Sequence, residues 1–290
     1  MKTRFARISG FRRLQMQHDF EGAEALIYVR HGIVVRRLKK AASARSLRMK
    51  DSDLLLSLCH ANLVRILQIS PGGDMHMECM QTSLQRHMLA GQPCSDGAKL
   101  TIARHATSAL LYLHQQDMQH EDLCPNNILL AWRQGEMHVK LCDFYNEHTG
   151  CSRSAAYAAP EVVLLQAIDV TPAADVWALA CCLLFMEGAE PFAGFDNAPA
   201  ILLYLGKHLC VAFRELSTIS QFTLSDCAYG PARHIAKSMW SDILCHVFVP
   251  QASRLSSHEV QRRLDVLHAA PAVVHTKRPA RGVLMRLNFA

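Results

Sequence analysis

The chain has 290 residues, half of them hydrophobic and 19% charged, with a formal net charge of +6. This composition excludes an intrinsically disordered chain and is enough for one large domain or two lobes with real cores. There is no run of eighteen uncharged apolar residues, so no membrane span is expected.

Basic residues collect at both ends. Lys2, Arg4, Arg7, Arg12 and Arg13 precede the first acid, Asp19, and Lys277, Arg278, Arg281 and Arg286 close the chain. They read as solvated extensions over residues 1–17 and 269–290. The N-terminal stretch lacks an apolar h-region, so a secretory signal is not expected. The eleven cysteines contain no C-x-x-C pair, and Cys181 and Cys182 lie inside an apolar run. Reduced thiols of an intracellular, cytoplasmic protein are expected, rather than a disulfide framework or a zinc site. Basic residues are not interleaved with aromatics, so specific nucleic-acid readout is not expected either.

In chain order, "ALIYVRHGIVVRRL" (25–38) reads as two strands around a His31-Gly32 turn. "KDSDLLLSLCHANLVRIL" (50–67) places Leu54, Leu55 and Leu58 on one helical face, with a strand from about Val64. "DMHMECM" (74–80) alternates as a strand after the Pro71-Gly72-Gly73 turn. "KLTIARHATSALLYLHQQ" (99–116) is a helix, and residues 127–144 are two short strands around Gln134-Gly135. "ADVWALACCLLFMEG" (174–188) is apolar nearly all round, the mark of a buried central helix. Helical pattern runs on from about 199 to 268. The fold class is therefore α+β, with a small β-rich lobe (18–79) and a larger, mainly helical lobe (82–268).

Several motifs lie along this frame. Each alone has a plain structural reading: His120 as a packed histidine, Asp175 as a helix cap, Met77 and Met80 as core. As an ordered set, they are more specific. "HEDLCPNN" (120–127) resembles the H-R-D-L-K-P-x-N catalytic loop of the eukaryotic protein kinase family. "KLCDFYNE" (140–147) resembles its strand ending in D-F-G, and "SAAYAAPE" (154–161) its T-x-x-Y-x-A-P-E. "DVWALA" (175–180) resembles D-V-W-S-L-G, and "PQASRLSSHEV" (250–260) resembles P-x-x-R-P-S-x-x-E-V. "CHANLVRIL" (59–67) and "HMECMQTSL" (76–84) resemble the H-P-N-I-V-x-L segment and the hinge. The resemblance covers about 18–266. Ser154, and the lack of K-W before A-P-E, favour the serine/threonine type.

The resemblance implies a bilobal kinase fold and transfer of phosphate from ATP, with magnesium, to a protein hydroxyl. Asp122 would orient that hydroxyl and accept its proton, Asn127 would assist and bind magnesium, and Asp143 would be the other metal ligand. Gly22, Ile27, Val34, Arg36, Asp51, Met77, Glu78, Met80 and Leu129 would form the nucleotide site. Met77 would guard the adenine pocket, while Glu78 and Met80 would offer backbone groups to the base. Arg254 would pair with Glu161 as a structural contact.

The chain also departs from the family pattern. Arg36 stands at the lysine position, sharing a strand face with Val34 and Leu38, and Asp51 stands for the helix glutamate. An Arg36–Asp51 pair is one expectation; Lys40 as the phosphate contact is the other. The phosphate loop aligns as "FEGAEA" (20–25), keeping only Gly22 and adding Glu21 and Glu24. Val34 replaces a small alanine over adenine, and Tyr145 replaces the glycine of D-F-G. Glu121 removes the arginine that would grip a phosphorylated activation segment, and Cys124 removes a lysine near phosphate. A pseudokinase acting through a regulated protein partner, with weak nucleotide binding, is one reading. An active atypical serine/threonine kinase using Asp122, Asn127 and Asp143 is the alternative. A cysteine hydrolase has no nucleophile motif behind it.

Overall fold

The computed structural model describes residues 20–21, 25–38, 48–49, 52–144, 146–147, 156–159, 161–162, 171–188, 238–248 and 251–269. The upper lobe is a five-stranded antiparallel sheet. Its strands are β1 (Phe20–Glu21), β2 (Ala25–Arg30), β3 (Ile33–Leu38), β5 (Ile66–Ile69) and β6 (Met75–Glu78), in the order β1-β2-β3-β6-β5. β2 and β3 join through His31 and Gly32, with φ of +50° and +76°. Two central residues at positive φ make the turn whose twist matches the flanking strands. β3 lies between β2 and β6, so Arg36 stands opposite Ile27 on one side and Met75 on the other.

A short pair, β4 (Arg48–Met49) with β10 (Asn146–Glu147), ties the chain before helix α1 (Ser52–Ser57) to the segment after Asp143. Leu55 and Leu58 of the expected apolar face are buried, and Leu54 packs against the core. The expected strand from Val64 begins at Ile66. Val64 instead bonds to β9 (Glu136–Leu141) through the carbonyl of Leu141, at 2.9 Å.

The lower lobe opens with β7 (Thr82–Ser83), β8 (Ile128–Arg133) and β9 in one sheet, and Gln134-Gly135 makes a second positive-φ turn. Helix α2 (Leu84–Leu89) is capped by Ser83. Helix α3 (Asp96–Gln115) is capped by Ser95, whose hydroxyl accepts from the Ala98 N–H. Helix α4 (Pro172–Met186) starts with proline at its first turn and is buried on every side, as its uniform hydropathy requires. α5 (Ser241–Val247) and α6 (Ser257–Ala269) complete the lobe. Ser256 and Glu259 exchange bonds of 2.8 and 3.3 Å in a capping box before α6. One continuous core runs through both lobes. The eight described cysteines form no disulfide. No helix among the described residues is long and apolar enough to cross a membrane.

Candidate active site

The loop His120–Asn127 joins α3 to β8 and is held from below by Asp175 at the start of α4. The two Asp175 oxygens accept from the His120 N–H at 2.8 Å and the Glu121 N–H at 3.0 Å. His114 of α3 adds a third bond through Nε2 at 2.9 Å, and its Nδ1 lies 2.9 Å from the Ser257 hydroxyl. A carboxylate only accepts, so Nε2 carries the proton. Burial alone would raise the Asp175 carboxyl. The His114 bond and charge, with the charge and N–H of His120, outweigh it and hold the group below its ordinary value. Glu121 sits at φ +71°, unusual for a residue with a side chain, and its clamped N–H fixes it there.

Above this clamp, Asp122 is 4% exposed. The Asn127 amide donates to the Asp122 carbonyl at 2.7 Å and reaches its carboxylate at 3.4 Å. A carbonyl cannot donate, so this bond settles which end of the amide is nitrogen and turns Oδ1 towards Cys142. The Asn127 N–H donates to the Cys124 carbonyl, and the Cys142 N–H donates to the Asn127 carbonyl, at 2.9 and 3.0 Å. Asn127 is therefore bonded to Asp122, to Cys124 and to Cys142, the residue before Asp143. Cys124 is buried, at 5% exposure. Burial and the neighbouring Asp143 push the Cys142 thiol well above its ordinary value.

Asp143 adopts a left-handed backbone, φ +65°, and Phe144 behind it is buried with its ring edge towards His120. Arg36 reaches down from β3 and places Nη2 3.7 Å from an Asp143 oxygen. Arg36 is only 6% exposed. The expected partner Asp51 lies outside the described residues, as do Gly22, Glu24, Lys40, Tyr145, Thr149, Ser152 and Ser154; only the backbone of Glu21 is described.

On the upper side, Val34 and Met77 are cross-strand partners, as are Ile27 and Arg36. Met77 is buried, while Val34, Met80 and Leu129 are partly buried against the core. Glu78 is more committed than the motif suggests. Its N–H donates to the Arg65 carbonyl at 3.1 Å. Its carboxylate accepts from the Arg65 N–H and pairs with Lys140, both at 2.7 Å. The Met80 carbonyl accepts from the Cys79 thiol at 3.4 Å.

Below the site, Arg254 grips Glu161 through both nitrogens, at 2.5 and 3.2 Å. It also donates to the carbonyls of Ala173 and Val247 and lies 5.0 Å over the Trp177 ring. The expected pair is thus present and closes the lower lobe. The clamp made by Asp175 and His114 was not read from the motifs, although Asp175 opens the D-V-W stretch. His114 carried no signal beyond lying in a helix.

Comparison with known proteins agrees with this geometry. The protein kinase domain model matches residues 32–260. The serine/threonine-protein kinase fused of Drosophila melanogaster is 27% identical over 232 residues, 75% of this chain and 28% of that protein. The serine/threonine-protein kinase PkaA of Streptomyces coelicolor is 29% identical over 224 residues, 70% of this chain and 40% of that protein. The chain thus spans well under half the length of these curated relatives. Among solved structures, Rad53 1–466 in complex with AMP-PNP superposes with a TM-score of 0.60 at 21% identity, covering 85% of this chain and 63% of that one. The Mycobacterium tuberculosis PknI kinase domain gives 0.57 at 19% identity, covering 86% and 93%. The chain belongs to the protein kinase family, and its fold is the bilobal α+β kinase fold.

Proposed function

We propose that this chain is a divergent member of the serine/threonine type that acts by binding a protein partner and transfers phosphate weakly or not at all. The observation that carries this reading is Cys124. A transferred phosphoryl group spreads negative charge over its oxygens, and catalysis consists largely of placing cations against it. Beside Asp122, the loop offers a buried thiol at Cys124 and an acid at Glu121. Losing one such contact costs about 10²–10³ in rate. The kinase-like domain is placed at 18–268, with basic flanks at 1–17 and 269–290.

Asp122 keeps a geometry suited to orienting a hydroxyl, because Asn127 fixes its main chain and touches its carboxylate. Ile27, Val34, Met77, Met80 and Leu129 supply apolar contact for a base. Gly22, Arg36 and Asp51 would lie towards its phosphates, and the hinge run from Glu78 to Met80 would meet its edge. The family as a whole uses ATP and magnesium. Asn127 and Asp143 have the oxygen donors a hard cation takes. Their arrangement suits it poorly, since Asp143 already carries the Arg36 guanidinium. No step is therefore assigned to a metal.

An active atypical kinase is the second reading, favoured by the Asn127–Asp122 bond that preorganises the carboxylate. Phosphate transfer from ATP to a generic basic protein, with Asp122→Ala as control, separates the two. Absence of transfer above the control is expected. Transfer that disappears in Asp122→Ala would establish the active enzyme instead.

A further inference from the structure

Helices α5 and α6 border an open groove on the lower lobe, about 350 Å³ in volume. Asp242 of α5 and Glu259, Arg262, Arg263, Val266 and Leu267 of α6 line it. We infer that this groove docks an extended segment of a protein partner in which a carboxylate side chain stands two residues from an apolar one. The inference rests on the reading of the chain as a partner-binding protein and names the chemistry of that partner.

The charges of the groove are unevenly used. Asp242 accepts from the Arg263 guanidinium at 2.5 Å and lies 3.6 Å from His246. Glu259 accepts from the N–H and the hydroxyl of Ser256, both at 2.8 Å, in the cap of α6. Asp265, the remaining acid of α6, pairs with Arg104 at 3.0 Å. Each of these acids therefore has a partner already. Arg262 is exposed and makes no hydrogen bond or close ion pair among the described residues. Its charge reaches Glu259, whose bonds go to Ser256. A guanidinium stays protonated and presents a planar fork that matches a carboxylate. The groove thus offers an incoming carboxylate one unengaged cation.

The apolar seat lies beside that cation. Val266 follows Arg262 by four residues, so the two share a helix face with Cβ atoms about 5–6 Å apart. Val266 is 70% exposed, and Leu267 next to it packs partly against the core. Side chains two residues apart on an extended segment point the same way and are about 6.6 Å apart. One such pair can therefore set an apolar group on Val266 and a carboxylate against Arg262. Two helices border the groove, so a ligand there is covered on one side only. A small molecule needs most of its surface buried, whereas a segment of a larger partner adds contact beyond the groove. The chain charge of +6 draws an acidic partner in, an attraction that weakens with salt.

The full chain is titrated into a fluorescein-labelled peptide, Gly-Glu-Ser-Leu-Glu-Ser-Leu-Gly, and anisotropy is followed. Half-saturation is expected below about 1 mM. A peptide with Gln for both Glu, and one with Ser for both Leu, should each bind at least about fivefold more weakly. Arg262→Gln should weaken binding of the first peptide about fivefold. Val266→Asp, which sets a charge of the wrong sign on the apolar seat, should weaken it at least about tenfold. Both side chains are exposed, and circular dichroism checks that each variant is folded. Arg133→Gln, at an exposed arginine of β8, should change binding by less than about twofold.

Absence of binding up to about 1 mM would overturn the inference. So would binding that Arg262→Gln and Val266→Asp leave unchanged, because the peptide then sits elsewhere. An equal loss in Arg133→Gln would show diffuse attraction to a basic chain and overturn it as well. Equal affinity for either control peptide would overturn the stated partner chemistry. Asp122-dependent phosphate transfer would instead overturn the reading of weak catalysis and leave the peptide comparison intact.

Discussion

The clamp at Asp175 makes a quantitative prediction. The carboxylate is 2% exposed and accepts three hydrogen bonds at 2.8–3.0 Å, from the N–H groups of His120 and Glu121 and from His114. Asp175→Ala removes all three and leaves two loop N–H groups without partners. Each orphaned donor costs ~1–3 kcal/mol, and these terms do not add fully. A loss of about 3–5 kcal/mol is expected, which lowers the melting temperature by roughly 6–15 °C for a chain of this size. Asp175→Asn should fall between, because its amide oxygen serves one N–H while its NH₂ faces another donor. Asp265→Ala, which removes an exposed pair with Arg104, should shift melting by less than about 2 °C. Thermal denaturation followed by circular dichroism measures all three. The folded-state carboxyl lies below its ordinary value of 3.8, so its contribution is complete above that pH and is lost as pH falls through the folded value. The curves of Asp175→Ala and the natural sequence should therefore converge in strong acid. Melting of Asp175→Ala within about 2 °C of the natural sequence near neutrality would refute the clamp.

Three further outcomes are expected. His60 and His105 are held below their ordinary value of 6.5, chiefly by burial, with Lys140 beside the first and Arg104 beside the second. The unfolded chain takes up these protons first, so stability should drop as pH falls below 6.5. His105→Leu, replacing a ring whose buried Nδ1 has no hydrogen-bond partner, should flatten that slope in urea titrations at pH 7.5 and 5.5. Arg254→Met leaves Glu161 without its bidentate partner and should cost about 3–5 kcal/mol in urea denaturation, against much less for an exposed pair. With a thiol reagent and mass mapping, exposed Cys59 and Cys245 should label in the native state. Cys181 and Cys182, whose thiols burial pushes up, should label only on unfolding; rapid native labelling of Cys181 would contradict its placement.

Much of the frame was legible because it is local. Period-two alternation and an X-Gly pair mark β2–β3 and β8–β9, and the turn residues have the positive φ that such hairpins demand. Strand parity put Arg36 on the face of Val34, and a five-residue spacing within one loop brings Asn127 to Asp122. Helix α3 began three residues earlier than expected, since Asp96-Gly97-Ala98 reads as loop until Ser95 is recognised as its cap. What stayed hidden is non-local. Asp175 holds residues 54 and 55 positions away, and Arg36 meets Asp143 only once two sheets and a loop are stacked. Glu78 was expected to face a base through its backbone. Its side chain pairs with Lys140, a partner on the other lobe's sheet that the motif did not indicate.

The described residues that match the family motifs share a property. Asp122, Asn127, Asp143, Glu161, Asp175 and Arg254 each bind another part of this chain. Among the described residues that depart from it, Glu121 and Cys124 stand where a side chain would serve a phosphate, whereas Arg36 keeps a positive charge and contacts Asp143. Folding alone accounts for Glu161, Asp175 and Arg254, because removing any of these breaks a bond to a buried partner. It places no demand on a cation at position 124. A buried lysine there would carry a desolvation penalty, and a buried thiol carries none. Asp122, Asn127 and Asp143 are also bound into the fold, so their presence alone does not weigh against the pseudokinase reading. The more telling positions are 121 and 124, where the loop offers a ligand no positive charge.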